Sequence, residues 1–558
     1  MAGASQQIGM QPALARAAGA AGAEREPALP ALAGRLMLLW GWRRFLVALL
    51  AGALAALAQA PFDFPAVGFV SFPVLVWLLD GAAGDAASGR LRRLRPFFAI
   101  GWWFGFGYFV AGLWWIGNAM LVDIEKYAWA LPVAVLILPA WLALFYGLAA
   151  ALARLLWSDG FGRIAALAAA FAVAEWLRGV VLTGFPWNAV GYAAMPVPLM
   201  MQSVAMVGMT GMNALTVLVF CLPALLAGPG RRGPVLLALA VLVAAHLGFG
   251  YARLALAPGD DGETLSARLV QPSIDQSRKW DAGIRDEIFS TYLEMSARPP
   301  GQGREPPKLI VWPETSIPFI LQQRPQALSA LGGMIRDGQT LLAGAVRFEG
   351  EAPTDPSARF YNSIVAVNSA GVLYDAADKV HLVPLGEFVP FADLLGRVGI
   401  TRLVDLPGGF SAGAGRHLIE VAPGIRVAPY VCYEVIFPGL VAAEAGDARL
   451  VVNVTNDAWF GDSPGPYQHL RQAQLRAVEA GRPMLRAANN GISAAIDSYG
   501  TIVDALRLDG VGNLDVALPL RKADRLRTAR PGLVGWGLVA LLALLGLLRR
   551  ARRSVRIN

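Results

Sequence analysis

Long stretches without a charged residue alternate with short arginine-rich segments over much of the chain. Residues 96–122, 128–153, 179–230, 233–252 and 531–548 contain no Asp, Glu, Lys or Arg, and residues 45–79 contain only Asp63. A helix that crosses the hydrocarbon core of a bilayer needs about 20 mostly apolar residues. The pattern predicts eight membrane-spanning helices, near residues 45–60, 65–80, 97–116, 129–153, 164–183, 204–227, 234–252 and 531–548.

Composition supports this prediction against the alternative of buried helices in a large soluble core. Hydrophobic residues make up 56% of the 558 residues and charged residues only 16%, whereas soluble proteins carry about 25% charged residues. A purely soluble protein, a disordered protein and a coiled coil are therefore excluded as descriptions of the whole chain.

The arginines lie on one side of the predicted spans. If the N-terminus is cytoplasmic, the cytoplasmic segments near the membrane hold Arg35, Arg43, Arg44, Arg90, Arg92, Arg93, Arg95, Arg154, Arg163, Arg231, Arg232, Arg549, Arg550, Arg552, Arg553 and Arg556. The short opposite loops hold Lys126 alone. Positive charge marks the cytoplasmic side of membrane proteins. We expect both termini to be cytoplasmic, and we read the net charge of +8 as topology and contact with anionic lipid, without nucleic acid.

Residues 253–530 differ from the rest, because charges, prolines and turn residues return there. We predict a disordered extension over 1–34, a membrane domain of seven spans over 35–252, an outer domain over 253–530, a final span over 531–548 and a basic cytoplasmic tail over 549–558. Within the outer domain, β-type runs lie at 267–270, 309–312, 341–346, 363–367, 427–431, 450–454 and 492–496, and helical patterns at 283–296 and 468–480. This mixture predicts an α/β domain with layered sheets.

The chain has two cysteines and four histidines, so neither a disulfide framework nor a zinc site is expected. Cys221 lies in an apolar span without an ionisable neighbour, which indicates a silent residue. Cys432 lies in the run VAPYVCYE at 427–434, at the exit of an apolar strand, where sheet proteins usually place their sites. It is a candidate nucleophile; the alternative is a buried small hydrophobic side chain.

Two further segments favour the first reading of Cys432. Glu314 follows Trp312 and Pro313 in LIVWPETS (309–316), where partial desolvation would raise its pKa toward that of a useful base. Lys379 and Glu387 lie in KVHLVPLGEFVP (379–390), a run otherwise rich in apolar residues. A lysine beside a thiolate lowers the thiol pKa and stabilises an oxyanion. An exposed glutamate and a solvated lysine are the alternatives when each is taken alone.

These residues, in this order, resemble the Glu-Lys-Cys triad of the nitrilase (carbon–nitrogen hydrolase) superfamily. The whole pattern resembles its membrane-bound branch, the bacterial apolipoprotein N-acyltransferase family. The further matches are TGFPW (183–187), NVTNDAWFG (453–461), GPYQHL (465–470), RAVEAGRP (476–483) and RAANNGIS (486–493). The similarity covers about residues 35–550. It implies a polytopic α-helical membrane protein with an inserted α/β domain, a nitrilase-like αββα sandwich.

The resemblance also implies the reaction, a ping-pong acyl transfer without a cofactor. Glu314 would take the proton of Cys432, the thiolate would attack an acyl ester of a phospholipid, and Lys379 would stabilise the oxyanion. The N-terminal amine of a diacylglyceryl-cysteine lipoprotein would then attack the thioester, in the last step of lipoprotein maturation. The expected partners are the phospholipid donor, the diacylglyceryl apolipoprotein acceptor and membrane lipids. We expect a monomer in the bacterial inner membrane with a periplasmic catalytic domain.

Several other residues match family positions. Glu387 would orient Lys379 or the amine, and Tyr433 and Glu434 either support the active site or simply pack and cap the strand exit. Trp280 and Trp187 match aromatic positions near the lipid, although tryptophans also collect at membrane interfaces generally. In the fifth span, Glu175 and Arg178 form either a functional pair or a local neutralising pair. Residues 461–466 and 390–409 are candidate lids.

Two other functions remain open at this stage. A membrane-anchored amidase or nitrilase that hydrolyses C–N bonds would use the same triad, so the triad does not separate it from an acyltransferase. The eight spans favour the acyltransferase, because one anchor would serve a soluble substrate. A transporter with an outer binding domain would show paired broken spans with ionisable residues at the midplane, and only Glu175 and Arg178 approach this pattern.

Overall fold

The computed structural model describes residues 28–258, 262–390 and 409–555, apart from residues 83, 85–88, 90, 280, 282, 353, 354, 356 and 524. Its helices are α1 (Ala28–Met37), α2 (Gly41–Ala55), α3 (Gly68–Asp80), α4 (Arg95–Leu113), α5 (Ile124–Tyr127), α6 (Leu138–Leu155), α7 (Phe161–Val180), α8 (Pro198–Met201), α9 (Val204–Cys221), α10 (Arg232–Ala255), α11 (Arg285–Ala297), α12 (Pro325–Met334), α13 (Leu440–Glu444), α14 (Pro464–Ala480) and α15 (Pro531–Val555).

Seven helical segments of the described chain are long and apolar enough to cross a membrane. They are Gly41–Ala58, Arg92–Met120, Ala128–Leu155, Phe161–Thr183, Val204–Ala227, Arg232–Ala255 and Pro531–Ala551. Seven of the eight predicted spans are thereby confirmed.

The remaining predicted span, at 65–80, is an apolar helix of the shorter class of 10–17 residues, so its length does not confirm it and its crossing of the membrane stays a prediction. Hydrogen bonds at both ends of this helix nevertheless show that it lies alongside α2. The Phe64 N–H donates to Leu57 O (3.1 Å) at one end, and Arg44 donates to Gly81 O (3.1 Å) at the other. The segment therefore leads the chain back to the level at which α2 begins, and protein contacts bury most of its side chains from Phe72 to Leu79.

The N-terminal prediction also needs correction. Residues 28–34 were predicted to belong to a disordered extension, but they lie in α1. Alanine and leucine are strong helix formers, and Ala33 is buried against the bundle, which explains the helix. Residues 1–27 lie outside the described part of the chain.

Small residues let the helices approach closely. A Cβ added to Gly52 of α2 would lie 1.8 Å from the backbone oxygen of Phe104 in α4. Likewise, a Cβ on Gly535 of α15 would lie 2.4 Å from Val207 O. Membrane helices associate through such backbone approaches, because lipid offers no hydrophobic driving force between apolar helices.

Two six-stranded sheets form the segment between α10 and α15. The strands are β1 (Thr264–Gln271), β2 (Leu309–Val311), β3 (Thr340–Glu349), β4 (Arg359–Asn368), β5 (Leu373–Asp378), β6 (Ile419–Ala422), β7 (Ile425–Val431), β8 (Leu450–Thr455), β9 (Met484–Ala488), β10 (Ser493–Ile496), β11 (Ile502–Leu506) and β12 (Gly512–Pro519). The strand orders are β12-β1-β2-β3-β4-β5 and β11-β10-β9-β8-β7-β6. The pairs β1–β2, β2–β3, β7–β8 and β8–β9 are parallel.

The sheets pack face to face with helices outside. Leu309 and Leu342 of one sheet and Val427 and Leu450 of the other lie in a single buried cluster. Separate clusters join the outer faces to α11 and α12 on one side and to α13 and α14 on the other. The predicted αββα sandwich is confirmed, and each predicted β-run coincides or overlaps with a strand.

Candidate active site

The predicted catalytic residues follow the ends of strands. Glu314 comes shortly after β2, Lys379 directly after β5 and Cys432 directly after β7. Since β2 and β7 lie in the parallel parts of their sheets, their carboxyl ends open toward one edge of the sandwich, where α/β sheets place their ligands.

A buried lysine joins two carboxylates at this edge. Lys379 Nζ lies 2.9 Å from Glu387 Oε1 and 3.5 Å from Glu314 Oε1, and its side chain is 1% exposed. Burial alone would lower the pKa of Lys379, but the two carboxylates and the thiol outweigh it and raise the pKa above its usual value. Lys379 is therefore a fixed positive charge.

Asn362 of β4 holds the two carboxylates in place. Its side-chain amide donates to Glu314 Oε1 (2.7 Å) and to Glu387 Oε1 (2.9 Å). The N–H of Val383 donates to the other oxygen of Glu387 (2.8 Å). Asn362 could not be found from the sequence, because an asparagine inside a strand carries no signal of its own.

Cys432 has a strained backbone and a protonated resting thiol. Its φ of +49° lies in the left-handed region, where non-glycine residues concentrate at functional sites. The Thr455 hydroxyl donates to its Sγ (3.2 Å). Burial raises the pKa of the Cys432 thiol, Glu314 adds to that effect, and Lys379 opposes it. The thiol therefore needs a nearby base before it can act as a nucleophile.

A buried polar network lies behind the cysteine. His469 Nε2 donates to Cys432 O (3.2 Å), and its Nδ1 lies 2.8 Å from Asp457 Oδ1. Arg486 pairs with the other oxygen of Asp457 (2.8 Å). Burial, and then Arg486, lower the pKa of His469. The motifs around 453–461, 465–470 and 486–493 contain these residues, but sequence analysis assigned them no role.

Glu434 braces the site from behind. Its carboxylate accepts hydrogen bonds from the N–H groups of Val431 (2.7 Å), Val380 (2.8 Å) and His381 (3.1 Å) and from Arg416 (2.6 Å). Because Val380 and His381 directly follow Lys379, these bonds fix the lysine relative to β7. Of the two roles considered for Glu434, packing and capping describe its contacts.

Tyr433 joins the site to the membrane domain. Its hydroxyl donates to Gly184 O (3.0 Å), and its ring stacks on Phe185. Trp187, in the same turn, is 2% exposed and packs on the ring of His469. The role of Trp187 in lipid binding stays a prediction, since its contacts here are internal. Trp280 lies outside the described residues.

The pair in the fifth span holds this turn. Arg178 and Glu175 form a buried ion pair. Arg178 also donates to Phe185 O (2.6 Å) and to Trp187 O (2.8 Å), and Glu175 accepts from the Tyr146 hydroxyl (2.7 Å). The pair therefore shapes the turn under the site, a role that neither sequence-based alternative described.

Of the two candidate lids, the segment at 461–466 packs against the membrane domain. Asn118 donates to Phe460 O (2.7 Å) just before it, and Trp115 lies against Gly465. Most of the other candidate, at 390–409, lies outside the described residues. Within the described chain, no group of three His, Cys, Asp or Glu side chains is arranged to hold a metal ion.

Lys279 is a second buried lysine at the site. Its side chain is 0% exposed, and its Nζ donates to the backbone oxygen of Glu314 (2.9 Å). Burial lowers its pKa to about 8, while Glu314 and Cys432 act in the opposite direction. In the sequence, Lys279 is one cation in a polar loop, so nothing there distinguishes it from a solvated side chain.

Family models cover both parts of the chain. One described as "Apolipoprotein N-acyltransferase N-terminal domain" matches residues 51–222, and one described as "Carbon-nitrogen hydrolase" matches residues 266–528. The apolipoprotein N-acyltransferase of Brucella suis is 54% identical over 529 residues, which cover 94% of this chain and 99% of that protein. The one from Allorhizobium ampelinum is 52% identical over 528 residues, with the same coverage.

Solved structures of an amidase from Nesterenkonia, of the nitrilase superfamily, also match. One is 22% identical, with a TM-score of 0.35, and the match covers 47% of this chain and 93% of that chain.

Proposed function

Because the chain belongs to the apolipoprotein N-acyltransferase family, we propose that Cys432, Glu314 and Lys379 carry out its acyl transfer in two steps. The chain is an acyltransferase of lipoprotein N-acylation. The observation that carries the residue assignment is the position of Cys432 at the end of a strand. There its thiol has a raised pKa and interacts electrostatically with Glu314 and Lys379. The amidase alternative is not favoured, since the match extends through the membrane domain.

In the first step, Glu314 takes the Sγ proton and the thiolate attacks the acyl ester carbonyl of a phospholipid. Lys379 stabilises the oxyanion as the carbonyl bond becomes single. When the oxyanion collapses, the ester C–O bond breaks, and the leaving lysophospholipid takes the proton from Glu314. The products are a lysophospholipid and a thioester on Cys432.

In the second step, the free N-terminal amine of a diacylglyceryl-cysteine lipoprotein attacks the thioester. Glu314 accepts a proton from the amine, and the C–S bond breaks as the amide forms. The proton then returns to the Cys432 sulfur, so the resting thiol is restored. Glu387 supports the step by holding Lys379 at 2.9 Å.

The test uses the two cysteines as a matched pair. In detergent with phospholipid and no acceptor, intact mass should show one added acyl chain on wild type and on Cys221→Ala, and none on Cys432→Ala. Glu314→Gln should acylate at least about 100-fold more slowly, which is the usual size of a general-base contribution. An acyl chain on Cys432→Ala, or loss of acylation in Cys221→Ala, would refute the assignment.

We also propose that the catalytic domain is periplasmic and that both termini are cytoplasmic. The helix ends at Gln59–Asp63, Trp115 and Trp187 contact the catalytic domain. Asp80, by contrast, pairs with Arg163 and accepts from Trp157. The arginine-rich ends thus lie away from the catalytic domain, as expected of the cytoplasmic side.

Cysteine labelling tests this orientation in a Cys221→Ala/Cys432→Ala background. With a membrane-impermeant maleimide, Ala505→Cys in β11 should react in intact spheroplasts, and Gly230→Cys, at the start of α10, only after lysis. The reverse pattern would overturn the proposal. We further propose that the enzyme acts as a monomer, because one chain supplies every site contact described above; the mass of the purified detergent complex tests this.

A further inference from the structure

The chain contains only five lysines among 48 basic residues, and two of them are buried at this site, Lys279 and Lys379. An ammonium is a compact, strongly hydrated charge that is expensive to bury. Lys379 meets that cost through two carboxylates, as described above. Lys279 instead donates to a backbone oxygen, that of Glu314, so its burial needs another explanation.

The charges of the site supply that explanation. Glu314 and Glu387 carry two negative charges, and Lys379 carries one positive charge. The neighbouring anions have their own partners, since Asp457 pairs with Arg486 and Glu434 pairs with Arg416. Without Lys279, the site therefore holds one negative charge in excess. A buried unpaired charge is strongly unfavourable.

The reaction keeps this balance only if the second lysine is present. When the proton moves from Cys432 to Glu314, the negative charge moves from the carboxylate to the sulfur, and on attack it moves to the oxyanion. The total is zero at each stage with Lys279 and minus one without it. Because Lys279 interacts electrostatically with Cys432 as well as with Glu314, a cation stays near the negative charge after that charge has left the carboxylate.

We propose that Lys279 is a positioning residue for acyl transfer, which fixes the backbone of the general base and balances the charge of the Cys432 thiolate. This rests on the proposed function of Cys432 and Glu314. The role is distinct from that of Lys379, which contacts the carboxylates directly.

A dependence on pH follows from the groups that face one another here. Lys279 interacts electrostatically with Glu314 and Cys432, and Cys432 also with Lys379 and Asp457. Lys379 has a raised pKa, whereas burial lowers that of Lys279 to about 8. As pH rises through about 8, Lys279 loses its charge first, and the acylation rate should fall.

The experiment measures the single-turnover rate of thioester formation from phospholipid, by intact mass, from pH 6 to 10. It uses full-length protein with Cys221→Ala, so that Cys432 is the only thiol. Lys279→Met should acylate at least ten-fold more slowly at pH 7.5, and it should lack the alkaline fall near pH 8. Lys279→Arg should stay within about three-fold of wild type and move the alkaline fall upward, because arginine remains charged. Lys308→Met, at an exposed lysine of the same domain, is the control and should match wild type.

The proposal is overturned if Lys279→Met acylates at the wild-type rate, or if it keeps the alkaline fall. It is also overturned if Lys279→Arg acylates as slowly as Lys279→Met across the pH range, provided that the unfolding temperature of Lys279→Arg shows that it is folded. Should Lys279→Met not fold, the comparison of Lys279→Arg with wild type on the alkaline side decides the matter.

The rate of iodoacetamide alkylation of Cys432, measured over the same pH range, separates this proposal from the preceding one. If wild type alkylates but forms no thioester, the proposed function fails. If alkylation of Lys279→Met and of wild type then shows the same pH profile, the inference fails as well.

Discussion

At the scale of single residues, the site depends on buried charges whose partners are far apart in the sequence. The triad could be predicted because each member lies in a motif at a strand end. Asn362 and Lys279 could not, because an asparagine in a strand and a lysine in a polar loop acquire their roles only from tertiary burial. Glu434 could be located from its motif, but its role could not be inferred, since the four residues that donate hydrogen bonds to it come from three separate segments.

Glu434→Gln should destabilise the protein in a pH-dependent way. Burial alone would raise the pKa of Glu434, but Arg416 and the backbone donors outweigh it and lower the pKa below its usual 4.5. The folded state therefore favours the carboxylate, and this stabilisation is present above about pH 4.5 and lost as pH falls below it. At pH 7 the variant should lose roughly 3–5 kcal/mol, as for a broken buried ion pair.

Thermal unfolding from pH 4 to 8 checks this expectation. Glu444→Gln is the matched control, because Glu444 contacts the same arginine (2.8 Å) but its side chain is 31% exposed; it should cost about 1 kcal/mol or less. A loss for Glu434→Gln that stays constant down to pH 4 would contradict the linkage.

At the scale of elements, what could be predicted depended on burial. Central strands such as β3, β7 and β8 read as apolar runs and were predicted. The strands β5, β6 and β12 are only partly buried and β11 has no buried position, and these four were missed. The strand β9 was missed although it is fully buried, because Arg486 interrupts its apolar run and is neutralised by Asp457. Helix α3 was predicted as a helix, but its crossing of the membrane stays a prediction, since composition does not reveal how deep a helix lies.

The packing of helix α14 against the membrane domain should depend on one glutamine, Gln468. The Gln468 side-chain oxygen accepts from Trp115 Nε1 (3.1 Å) and Trp187 Nε1 (2.9 Å), and its amide donates to Ala60 O and Gly112 O (both 3.2 Å). Gln468→Leu would leave the buried indole N–H of Trp187 without its acceptor, whereas Trp115 Nε1 would keep its bond to Gly112 O (3.1 Å). We expect a loss of roughly 1–3 kcal/mol, the usual cost of one unsatisfied buried donor.

Gln472→Leu, one turn further along α14, provides the comparison. Gln472 is also buried, but its amide donates only within the helix, to Gln468 O (3.3 Å). In thermal melts the Gln468 variant should unfold at a clearly lower temperature than the Gln472 variant. Equal unfolding temperatures would mean that the two tryptophan contacts contribute nothing.

At the scale of the whole molecule, a buried pair in the membrane reaches the active site through a short chain of contacts. Arg178 holds Phe185 and Trp187, Tyr433 donates to Gly184 in the same turn, and Cys432 is the residue before Tyr433. The order of domains could be predicted from composition. This junction could not be predicted, because Tyr433 and Gly184, which it joins, are 249 positions apart in the sequence.

Arg178→Met should therefore lower both stability and the acylation rate. It leaves Glu175 as a buried unpaired charge, which costs roughly 3–5 kcal/mol, and it frees the turn under Tyr433. The double variant Glu175→Gln/Arg178→Met should regain part of the stability but not the rate, since the turn stays unheld. Single-turnover acylation and thermal unfolding measure the two effects.

Arg163→Met is the control at the opposite end of the same helix, where Arg163 pairs with Asp80 (3.2 Å). Its acylation rate should equal that of wild type. An equal loss of rate in both arginine variants would show that the effect is general destabilisation.

The position of α15 after the elements it packs against has a consequence for the order of assembly during synthesis. Trp536 packs on Trp176 of α7 with ring centroids 5.4 Å apart, and Gly535 packs on Val207 of α9. Both partner helices leave the ribosome more than 300 residues earlier. Strand β12, which pairs with β1, comes just before α15. Because contacts between distant parts of the chain close late, the helical bundle and the sandwich both wait for the same stretch, β12 and α15. Until α15 is made, the faces of α7 and α9 that it covers are therefore left in contact with lipid.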